Sequence, residues 1–70
     1  MMPLAFAGTG EENIIRRVGG KPDVKKHLED MGFVVGGTVK IISEMNGDLI
    51  VNVKDTRVAI SREMAQKVLV

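Results

Sequence analysis

The stretch His27-Leu28-Glu29-Asp30-Met31-Gly32-Phe33-Val34-Val35-Gly36-Gly37-Thr38-Val39-Lys40-Ile41-Ile42 changes its local code three times. Val24, Leu28 and Met31 recur at helical spacing, so an amphipathic helix runs into it with Lys25, Lys26, Glu29 and Asp30 on the wet side. Gly32 stands where a left-handed residue ends such a helix. Phe33 follows, placed to fold back onto the apolar stripe. After Gly36-Gly37 the period drops to two. Val39 and Ile41 alternate with Lys40 and with Ile42 or Ser43, the pattern of a half-buried strand. A helix with a locked stop therefore hands the chain to a sheet within a few residues.

Downstream, Asn46-Gly47 is a strong two-residue hairpin signal. Leu49, Val51 and Val53 alternate with Ile50, Asn52 and Lys54 in the next strand. A tight turn is expected at Asp55-Thr56, then a strand Arg57 to Ile60 with Val58 and Ile60 on one face. Ser61 is placed to cap a short turn through Arg62-Glu63-Met64-Ala65, and Lys67 to Val70 reads as a closing strand. Upstream, Pro3 to Ala7 reads as a short extended piece ahead of a turn at Gly8 to Glu12. Asn13 to Val18 reads as the first strand, where only one of Ile14 and Ile15 points inward. Gly19-Gly20 breaks it. Pro22 then opens the helix, with Asp23 as its expected cap.

About five short strands, one inserted helix and a short helical turn before the last strand make a mainly β chain. Curling into a small, partly open barrel of the SH3-like kind limits its exposed edges. With 70 residues and no cysteine, the chain is expected to form one domain over 1–70, held by aliphatic packing alone. Its residues are 44% hydrophobic with only Phe6 and Phe33 as aromatics.

Charge excludes several functions. A formal net charge of +1, with both signs interspersed, leaves neither a nucleic-acid footprint nor a polybasic membrane anchor. Without Trp or Tyr there is no stacking platform for single-stranded nucleic acid or for a proline-rich peptide. No apolar run approaches the ~20 residues that span a bilayer. MMPLAFAGTG lacks the basic start of a secretory signal.

Catalytic sets are equally scarce. Ser43, Ser61 and the threonines sit at turns or strand ends, and Gly20-Lys21 lacks the spacing of a phosphate-binding loop. His27 is the one histidine. With Asp30 at i+3 and Glu29 between them, it offers a two-ligand clip for ferrous iron or another divalent ion, where a firm site wants three or four ligands. Met45, Ile50, Ala59 and the Val34-Val35 pair are apolar residues that the alternation does not send inward. Clustered, such residues form a docking patch.

The ordered run Leu28-x-x-Met31-Gly32-Phe33-x-x-Gly36-x-x-Val39 resembles the helix exit of the FeoA family. Pro3-Leu4 with Gly10-Glu11 is similar to the family's opening, and Gly19-Gly20 to the loop before its helix. Arg57-Val58-Ala59-Ile60-Ser61-Arg62-Glu63-Met64-Ala65, ending in Val68 and Val70, resembles its last strand and turn. Val35 before Gly36 and Thr9 before Gly10 stand where the family usually has proline. The resemblance spans essentially the whole chain. It implies an SH3-like barrel without catalytic residues, acting in the bacterial cytoplasm beside FeoB, the membrane ferrous iron transporter with a cytosolic GTPase domain. Under that reading Met31, Phe33, Val34, Val35, Gly36 and Val39 are the candidate docking residues. The rival readings are a free-standing metal-sensing module using His27, Glu29 and Asp30, and a small nucleic-acid-binding barrel.

Overall fold

The helix stop organises the molecule, and a computed structural model describes it with all of residues 1–70. Helix α1 spans Pro22–Asp30. The Gly32 N–H donates to the Glu29 carbonyl at 2.9 Å and the Phe33 N–H to the Leu28 carbonyl at 3.0 Å. These two crossing bonds satisfy carbonyls that a helix end leaves bare. They require a left-handed residue at Gly32, whose φ is +111°. Phe33 and Leu28 are then both fully buried, each contributing about 1.5–3 kcal/mol through its side chain. At the other end the cap position is Lys21, and no side chain caps the helix. Asp23 lies inside the first turn instead, where its charge opposes the positive end of the helix dipole. Pro22 sets the helix start two residues too early for Asp23 to be the cap.

Six strands follow from the alternation. They are β1 (Glu12–Ile14), β2 (Arg17–Val18), β3 (Thr38–Met45), β4 (Asp48–Val53), β5 (Thr56–Ser61) and β6 (Val68–Leu69). One antiparallel sheet has the order β1-β3-β4-β5, and β2 pairs with β6 in a second. The expected single strand Asn13 to Val18 is therefore two. Ile15 lies between them and is fully buried, while Ile14 is 47% exposed. The chain crosses there from one sheet to the other, which is how a small barrel closes without one continuous sheet.

In β3 the ladder shifts between Ile41 and Ser43, leaving Ile42 as the extra residue of a bulge. A bulge bends a strand and strengthens its twist, as barrel closure needs. The β4–β5 turn is centred on Lys54-Asp55, one residue earlier than expected, so Thr56 already pairs with Val53.

Helix α2, Arg62–Ala65, starts at Ser61, whose Oγ accepts the Met64 N–H at 3.2 Å. Pro3 to Ala7, expected to be extended, instead makes a 3₁₀ turn over Leu4–Phe6. That turn buries Leu4 and Ala5 and leaves Phe6 67% exposed. Val18, Val39, Ile41, Leu49, Val51, Val53, Ile60, Ala65 and Val68 complete the core, which contains no polar or charged side chain.

Candidate functional site

Each candidate residue of the helix exit inherits its position from the cap. Because Phe33 turns inward and Val39 starts the inner row of β3, both are buried and unavailable to a partner. Met31 and Val34 are half-buried, Gly36 is exposed, and Val35 is 68% exposed. The loop is held rather than loose. The Ile15 N–H donates to the Gly37 carbonyl, and the Gly36 N–H to the Ile15 carbonyl, both at 2.8 Å. This grip anchors the loop that carries Val35 to Ile15. The accessible part of the predicted docking surface is thus Met31, Val34, Val35 and Gly36.

The three metal candidates, His27, Glu29 and Asp30, are all exposed on α1. Asp30 pairs with Lys26 at 3.8 Å. His27 also borders a cleft of about 390 Å³ between α1 and α2, together with Asp23, Val24, Ser61, Glu63, Met64 and Lys67. Nowhere in the structure are three histidine, aspartate or glutamate side chains placed to share one metal ion. Sequence reasoning missed Asp23 and Glu63 as neighbours of this cleft. Asp23 lay in view, one helical turn before His27. Glu63 did not, because only the packing of α2 brings it to α1.

The outward-facing apolar residues of the sheet fall into register. Ile50 stands opposite Ser43 on one side and Ala59 on the other, and Met45 closes the β3–β4 hairpin opposite Asp48. Met45 is 60% exposed, Ala59 is exposed and Ile50 half-buried. At the far end of β3, Glu44 pairs with Arg62, which also donates to the Ala5 carbonyl at 3.3 Å. That contact ties α2 to the N-terminal turn and leaves no free acid–base pair there.

Comparison with known proteins agrees with this layout. Residues 2–70 match the FeoA domain family model. A protein of Methanocaldococcus jannaschii provisionally named Fe(2+) transport protein A is 37% identical over the full chain, which covers 85% of that protein. The crystal structure of an iron uptake regulatory protein, FeoA, superposes with a TM-score of 0.87 at 30% identity, covering 96% of this chain and 89% of that one. Stenotrophomonas maltophilia FeoA in complex with zinc, described as a prokaryotic SH3 domain protein, gives 0.85 at 23% identity, with 99% and 88% covered. At that identity the likeness concerns the fold alone, and it is the SH3-like one built above. With the whole length matched, and with the helix exit, the two hairpins and the capped closing turn in the expected order, this chain belongs to the FeoA domain family.

Proposed function

We infer that the protein is a non-enzymatic, cytoplasmic accessory factor of ferrous iron uptake that docks on the cytosolic part of a FeoB-type membrane transporter. The observation that carries this reading is family membership over residues 2–70 together with a relative named for Fe(2+) transport. The surface supports it. Every charged side chain is at least partly in solvent, so none has the desolvated setting in which catalytic acids and bases are tuned. No helix is long and apolar enough to cross a membrane. Exposed Val35, flanked by Met31 and Val34 on a loop gripped by Ile15, is a fixed apolar contact of the kind docking surfaces use.

The test is a proton–nitrogen NMR titration of the labelled chain with the soluble cytosolic domain of the organism's ferrous transporter. Saturable shifts are the expected result. A spectrum unchanged at high partner concentration, with transport indifferent to the protein, contradicts the reading.

A metal-sensing role using His27, Glu29 and Asp30 is the second reading, favoured by the zinc bound to Stenotrophomonas maltophilia FeoA. Isothermal titration with ferrous or manganous ion decides it. Heat that disappears in His27→Ala supports the sensor, and no heat removes it.

A further inference from the structure

Strand β5 is the last strand of its sheet, and its outer edge is open. The two-residue Lys54-Asp55 turn makes Val53 and Thr56 a hydrogen-bonded pair. Alternation along the antiparallel ladder then gives the same status to Val51–Val58 and Leu49–Ile60. The N–H and C=O groups of Arg57 and Ala59 consequently point away from β4, and no backbone group meets them on the far side. Both residues are exposed. Val58 faces inward beside fully buried Val51, yet it is only half-buried, so the barrel is open along this edge. A proline, a bulge and an inward-pointing charge, three of the usual protections of an edge, are absent from β5, and Arg57 is its one charged residue.

The side chains specify what fits. Across the outer face, Glu12 stands opposite Lys40, Lys40 opposite Asn52, and Asn52 opposite Arg57. The row starts with an acid beside a base and ends on a base. Arg57 has no ion pair and no side-chain hydrogen bond. We propose that the β5 edge receives an extended segment of the partner protein as a further antiparallel strand, with a carboxylate opposite Arg57 and an apolar side chain over Val58. This rests on the docking reading above and names its mode. Main-chain hydrogen bonds at Arg57 and Ala59 supply the attachment, and the two side-chain positions supply selectivity. The acid completes the charge row. The apolar residue finishes the burial of Val58.

The experiment measures water exchange at individual amides of the full chain by NMR, alone and saturated with the soluble cytosolic domain of the transporter, with Kd from calorimetry. Exchange at the Arg57 and Ala59 amides slows by about tenfold or more in the complex, because both become ladder donors. Arg57→Glu, an exposed charge reversal with little effect on folding, weakens Kd about tenfold. Ala59→Pro removes an outward donor and weakens it as well.

Tight binding with unaltered exchange at these two amides overturns the strand-addition mode while leaving the accessory role in place. Absence of binding overturns both. Slowing that grows with the concentration of the chain alone assigns the edge to a second copy and overturns the partner assignment.

Discussion

The two hairpin turns of the central sheet have the same shape and opposite origins. At Asn46-Gly47 the φ angles are +52° and +87°, and at Lys54-Asp55 they are +51° and +58°. Both turns join strands through two residues in the left-handed region, the geometry whose twist matches that of the flanking strands. Asn and Gly adopt it at little cost. Lys is a poor occupant of that region, and Asp a tolerable one. The second turn is held by what surrounds it. The strand leading into it, β4, carries fully packed Val51 and Val53. The Lys54 side chain lies over Gly32, where an added β-carbon would meet Lys54 Cδ at 3.4 Å. One turn is written locally, and the other is imposed by the strands it joins and the helix end beneath it.

Removing what the turns share tests this most severely. Leu49→Ala empties a position that is 2% exposed on β4, between both hairpins, and is expected to cost about 2–5 kcal/mol in urea unfolding. A cost well under that range would mean the turns, and not the shared strand, hold the sheet. Gly47→Ala attacks the locally encoded turn alone. Nothing lies within 4 Å of the added β-carbon, so the loss of about 1–2 kcal/mol is conformational. The converse is Asp55→Gly, which relieves the imposed turn and is expected to stabilise the protein by about 1 kcal/mol in the same assay. A destabilisation there would show that Asp55 contributes a contact that outweighs its backbone cost.

The same contrast separates what was legible beforehand. The helix exit was readable because a helical stripe, a glycine and a phenylalanine are each local and agree with one another. The Ser61 cap was readable for the same reason. The sequence pattern puts the turn at Lys54-Asp55 one residue late because neither residue announces a left-handed conformation. The segment Pro3 to Ala7 reads as extended because Leu4 and Ala5 carry no periodic signal. It coils because a single 3₁₀ turn buries both against the core. Among the docking candidates, apolarity alone could not separate Val35, which is exposed, from Phe33 and Val39, which are not. The open edge of β5 was invisible for a related reason: strand order is a property of pairing, not of any one strand.

The amino-acid sequence by itself determined the class of each element, the helix stop, the first hairpin, the cap of α2 and the resemblance to a family, since these rest on interactions within a few residues. Tertiary structure alone decided that Asn13 to Val18 splits between two sheets, that Ile15 rather than Ile14 enters the core, that Glu63 of α2 comes to border the same cleft as His27, and that β5 is left with a free edge. Those outcomes depend on which distant segments compete for the same core volume and the same backbone donors, and a local code carries no term for that competition.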